Sequence, residues 1–142
     1  MNGAVWAVMV TALIIASVTD VRTKTIPIPT FPAAFLTCLV IRTAAGNMYA
    51  DYWVGMAIMF VISVNLCLFA SFGGGDLLML TAVGFATGAS GAVVFSIASA
   101  VISMGVFLYL LAVRRGGKRI AMAPVVLASY CVTILISILY TA

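Results

Sequence analysis

Three aspartates, Asp20, Asp51 and Asp76, are the whole acidic inventory of this chain; it has no Glu and no His. Without imidazole there is no Ser–His or Cys–His nucleophile, no imidazole zinc site and no histidine proton relay. Acid–base chemistry at neutral pH falls to the aspartates, to Lys24 or Lys118, or to a perturbed Cys or Tyr. Cys38, Cys67 and Cys131 stand singly inside apolar runs. No CxxC pair is present, so neither a zinc knuckle nor a redox motif is available. The three thiols read as unpaired and buried in lipid.

The three carboxylates differ in their settings. Asp76 follows Gly73, Gly74 and Gly75 between two apolar runs. Glycine lets backbones approach closely, and Asp76 then stands at the start of the next helix. Alone, this is a glycine turn with an Asp cap or half of a catalytic pair. Asp20 closes the first apolar run, just before Arg22 and Lys24. A carboxylate at a helix C-terminus opposes the helix dipole. A residue set against its local preference is a candidate for function; a surface ion pair or a helix stop are the plainer readings. Asp51 precedes Tyr52 and Trp53 and reads as the N-cap of the third helix, with no chemistry assigned. Two carboxylates on one water suffice for peptide hydrolysis. One takes a proton from the water and the other protonates the scissile carbonyl; two such groups a few Å apart share one proton. By the helix dipoles, the shared proton is expected on Asp20, with Asp76 ionised as the base.

The elements that must bring Asp20 and Asp76 together are membrane spans. Of 142 residues 65% are apolar and 7% charged, against roughly a quarter charged in a soluble domain. Uncharged runs cover 1–19, 25–41, 52–75, 77–113 and 120–142. A spanning helix needs about 20 apolar residues, so the run 77–113 suits two helices, with the turn at Gly88-Ala-Ser-Gly91. The expectation is an all-α, polytopic membrane protein of one domain, 1–142. Six helices are expected near 3–19, 30–45, 52–71, 77–88, 92–113 and 121–140. Pro27, Pro29 and Pro32 mark the start of the second, and Pro124 starts or kinks the sixth. Gly84 and Gly88, four apart, suit close helix packing.

Arg22, Lys24, Arg114, Arg115, Lys118 and Arg119 fall in loops of one side, and only Arg42 on the other. Short loops rich in Lys and Arg stay cytoplasmic. Both termini are therefore expected outside, and Asp20 and Asp76 at the cytoplasmic face. Trp6, Tyr49, Tyr52, Trp53 and Tyr140 would sit near the outer interface. The net charge of +4 is then a topology signal, and no nucleic-acid partner is expected.

The segment Asp20-Val-Arg-Thr-Lys-Thr-Ile-Pro27 resembles the first catalytic segment of the type IV prepilin peptidases. Gly73-Gly74-Gly75-Asp76 matches their GxGD motif. Lys118-Arg-Ile-Ala-Met-Ala-Pro124 is similar to the basic-then-proline stretch before their last helix. The likeness runs from the first helix to the sixth. Two positions depart from the pattern: Ile28 stands where Asn is usual, and Ala121 where an earlier proline is. The resemblance implies a GxGD aspartic endopeptidase of the cytoplasmic (inner) membrane with Asp20 and Asp76 catalytic. Gly73, Gly74 and Gly75 would form the active-site loop, and neither metal nor other cofactor is needed. The implied partner besides the lipid bilayer is a prepilin, a basic leader followed by a hydrophobic helix. The chain lacks the cysteine-containing insert of the large bacterial members, so cleavage without N-methylation is implied, as in the short Flp-type (tight-adherence) forms. Oligomeric state and substrate-binding residues stay open.

Two other classes stay open on the residues alone. One is a small proton- or ion-coupled carrier using both aspartates as a relay, which would place them nearer the midplane. The other is a non-catalytic assembly subunit, for which Asp76→Asn would be harmless. A Ser–Lys peptidase is a weaker enzyme alternative, because Lys24 and Lys118 lie in flanking loops where a lysine is hard to desolvate.

Overall fold

The protein is all helix in a computed structural model that describes residues 3–23, 29–46, 49–70, 73–112 and 123–141. Five helices follow one another: α1 (Gly3–Thr23), α2 (Thr30–Ala44), α3 (Ala50–Ala70), α4 (Gly74–Ala112) and α5 (Ala123–Thr141). Four of them, all but the shorter α2, are long and apolar enough to cross a membrane. The all-α, polytopic expectation holds. Its count of six helices does not appear as six elements, because 77–88 and 92–113 run together as α4.

One residue accounts for that difference. Gly88 alone interrupts α4, at φ 74° and ψ 179°, a region open essentially only to glycine. Helical hydrogen bonding resumes at once, so the expected four-residue turn shrinks to a single residue. The chain nevertheless doubles back. Met79 and Leu80 before the break line one cavity of about 340 Å3 together with Ser96, Ser99 and Ser103 after it. At 1.5 Å per residue the first arm, 74–87, rises about 21 Å.

Charges from two other helices hold this break. Arg42, fully buried at the end of α2, donates from Nη2 to the Ala86 carbonyl at 2.7 Å. Its guanidinium lies 3.3 Å from the centroid of the Tyr52 ring. It thus meets the negative end of the first arm, where carbonyls lack partners within the helix. Asp51 serves the opposite terminus: its Oδ2 accepts the N–H of Ala89, the first residue of the second arm, at 3.2 Å. Asp51 therefore does not cap α3. That helix starts one residue earlier, at Ala50, and the carboxylate reaches across to α4.

α4 packs against every other helix. Its closest neighbour is α3, through glycines: a Cβ on Gly55 would stand 2.6 Å from the carbonyl oxygen of Gly84. Side chains there would force the backbones apart, as expected for small residues at four-residue spacing. Phe85 fills the space beside them, edge-on to Phe35 and Trp53 at centroid distances of 4.8 and 5.4 Å. Tyr52 is half-buried beneath Arg42, whereas Tyr49, Trp53 and Tyr140 are exposed at this same end. Many large apolar side chains, among them Leu36, Val61, Leu68, Ile97, Val101 and Leu135, face outward. That surface suits lipid. Of the three free thiols only Cys38 is buried; Cys67 is half-buried and Cys131 exposed. Helix packing, rather than chain apolarity, decides which thiol is enclosed.

Candidate active site

The end of the bundle opposite Gly88 gathers the last turn of α1 and the first turns of α4 and α5. α1 runs past the expected end at residue 19 to Thr23, so Asp20 sits within its final turn. The helix faces Val5, Met9, Leu13 and Ala16 inward, and Asp20 continues that stripe. Its side chain is 8% exposed, while Arg22 two residues on is exposed. Asp20 Oδ2 accepts the backbone N–H of Ala123 at 3.2 Å.

Asp76 stands in the first turn of α4. The N–H groups of Asp76 and Leu77 donate to the Gly73 carbonyl at 3.0 and 3.3 Å, and Asp76 Oδ2 accepts the Gly73 N–H at 3.2 Å. This reciprocal pattern is the side-chain half of a capping box, closed by Asp. Gly74 and Gly75 consequently belong to the helix, and of the expected active-site loop Gly73 alone lies before it. None of the three has a positive φ; Gly46 and Gly88 are the positive-φ glycines of the described residues. The glycines matter here by what they lack. Among the described residues, a Cβ on Gly74 would meet nothing within 4 Å, and one on Gly73 would meet only the Asp76 carboxylate, at 3.7 Å.

Asp20 and Asp76 lie within electrostatic reach: charge on Asp20 acts on the Asp76 carboxyl. Each uses Oδ2 to accept a backbone N–H at a helix start. The dipole contrast expected between them is therefore partly offset. Asp20 ends α1 but also stands at the positive end of α5, so both carboxylates meet a helix N-terminus. Asp51 lies at the far end with Gly88 and takes no part.

Two features, one at each end of the bundle, were missed by residue-level reading. Ala123 acts through its backbone, which no side-chain motif reveals. Arg42, read as a loop charge, is buried; its place inside an apolar stretch was the available signal. Lys24, Pro27, Ile28, Arg114, Arg115, Lys118, Arg119 and Ala121 lie outside the described residues. Among the described residues no cluster of three or more His, Cys, Asp or Glu could hold a metal ion.

Two carboxylates at one end of a bundle, one buried and one half-buried, are groups that can share a proton and polarise a water if they approach each other. The sequence model of the type IV leader peptidase family matches residues 7–141 of the chain. No curated protein and no solved structure matches it.

Proposed function

The chain belongs to the type IV leader peptidase family, and from that premise we propose that it is an aspartic endopeptidase cutting the basic leader from prepilins, of the Flp type. Asp20 and Asp76 are its catalytic pair. The observation that supports this reading is that the two carboxylates, from α1 and α4, stand at one end of the bundle, near enough for charge on one to act on the other.

The chemistry follows from two carboxyls holding one proton between them. The ionised carboxylate takes a proton from a water as its oxygen attacks the scissile carbonyl carbon. The protonated partner gives its proton to the carbonyl oxygen, leaving a neutral gem-diol. In collapse the protonated carboxyl gives its proton to the leaving nitrogen, the other carboxylate takes one from a gem-diol hydroxyl, the C–N bond breaks, and the pair again holds one shared proton. Helix N–H groups on both Oδ2 atoms hold the carboxyls in place through both steps, which saves reorganisation in the transition state. Since both meet a helix N-terminus, base and acid are roles of the pair rather than fixed to one residue. Gly73 and Gly74, bare of side chains, suit the close approach of an extended substrate backbone.

Six crossings, with the two arms of α4 as separate passes, place both chain ends outside and the pair at the cytoplasmic face. Basic residues weigh six to one toward that face. A basic leader meets the pair there, while the pilin helix stays in the bilayer. The chain carries no cysteine-containing insert, which favours the short Flp-type form and cleavage without N-methylation. Membership of a peptidase family favours an enzyme over a carrier or an assembly subunit.

Co-expression with an Flp-type prepilin tests the reading directly. Leader removal, read as a gel shift, is expected for the wild type and absent for Asp20→Asn and Asp76→Asn. Full processing by either variant would refute the catalytic pair.

A further inference from the structure

Asp20 and Ala123 are 103 positions apart in sequence, yet one buried hydrogen bond joins them. Ala123, the first residue of α5, is fully buried. A first-turn N–H has no partner within its own helix, and a buried one left unpaired is costly. The following residue is Pro124, which has no N–H to offer. Ala123 is thus the sole donor among the first two residues of α5, and Asp20 Oδ2 receives it.

The bond does more than satisfy a donor. The terminal torsion of Asp is broad, so a carboxylate free in a cleft rotates readily. Fixing Oδ2 fixes the plane of the group and commits the other oxygen to the remaining space. Asp76 is fixed in the same manner by Gly73. The two anchors differ in origin. Gly73 is three residues from Asp76, and their bond forms with the local turn. The anchor of Asp20 exists only once α5 has packed against α1.

We infer that Ala123 is a positioning residue of this peptidase: its backbone N–H orients the Asp20 carboxylate toward the water, making the start of α5 part of the working site. The inference rests on the proposed role of Asp20 and Asp76. The methyl group is not the agent, so replacements that keep an N–H pass the function over, and only proline exposes it.

The test compares Ala123→Pro with Ala123→Gly in purified enzyme acting on a prepilin. Proline is tolerated at the first helical position and deletes the donor. Ala123→Pro is expected to lower kcat about tenfold or more while KM stays within about twofold, because substrate contacts persist and only the reacting geometry is lost. Ala123→Gly keeps the N–H and is expected to keep kcat. Wild-type kcat in Ala123→Pro would overturn the inference. Should that variant fail to fold, chains that keep Ala123 supply the reading. Labelling Met at the carbonyl carbon and Ala at nitrogen leaves two signals, Met56–Ala57 and Met122–Ala123. The Ala123 amide proton is expected to move upfield in Asp20→Ala; an unmoved signal overturns the inference. An active Asp20→Asn would remove the catalytic reading and this one together. A dead Asp20→Asn beside a fully active Ala123→Pro would remove this one alone.

Discussion

At the residue scale, each of the three aspartates accepts a backbone N–H at a helix start, in two different settings. Asp51 accepts the Ala89 N–H across the break in α4. Asp51→Asn keeps a carbonyl oxygen there, so cleavage should stay close to wild type. Asp51→Ala should cost about 1 kcal/mol of stability, the usual value of a lost helix cap, measurable by unfolding in detergent. Asp20→Asn and Asp76→Asn should each abolish cleavage, and the double variant should be no worse, because groups acting as a unit are non-additive. A gel shift with a prepilin and purified variants decides both points. The GxGD spacing and the misfit of an aspartate at a helix end singled out Asp76 and Asp20 in the sequence. Their hydrogen bonding was not legible. The donor to Asp20 comes from a backbone more than a hundred residues away, and no local pattern encodes it.

At the element scale, α4 depends on one backbone conformation. Gly88 lies where only glycine is at ease, and a Cβ there would run into the Asp51 carboxylate. Gly88→Ala should therefore destabilise by at least about 3 kcal/mol, strain and clash together. Arg42→Ala should cost about 3–5 kcal/mol, since it removes the Ala86 carbonyl bond, the stacking on Tyr52 and buried volume at once. Arg42→Lys should recover only part of that, because an ammonium neither stacks flat nor forks. Thermal unfolding in a fixed detergent ranks all three. The length of the run 77–113 and its glycines revealed the reversal. They did not reveal that it takes a single residue, because that economy depends on Arg42 and Asp51 arriving from other helices. Arg42 was legible as a charge out of place; its burial depended on Tyr52 and Phe85 forming an aromatic wall around it.

At the scale of the whole molecule, the bundle has two chemically distinct ends. One holds Asp20, Asp76 and Ala123, the other Arg42, Asp51 and Gly88. With Cys38, Cys67 and Cys131 replaced, single cysteines at Thr23 and Gly74 should label from the cytoplasm, and one at Ser90 from outside. Labelling of Gly74 and Ser90 from one face would refute the sidedness. The two ends were visible in the sequence as alternating charged loops, because lipid leaves charge little choice of place. How the helices neighbour one another was not visible, since apolar faces look alike on all sides of such a chain. The bond from Ala123 to Asp20 reveals one such neighbourhood, and it carries a consequence for topology. α1 and α5 pack side by side and meet end to start, so they run antiparallel. The beginning of α1 and the finish of α5 then lie together at the opposite end. Joining Thr141 to Gly3 by a short flexible linker, and opening the chain between Ala112 and Ala123, should give a circular permutant with the same bundle. In that permutant α5 and α1 become one helical hairpin made in succession, and the contact between Asp20 and Ala123 changes from a link across 103 positions to one within a single hairpin.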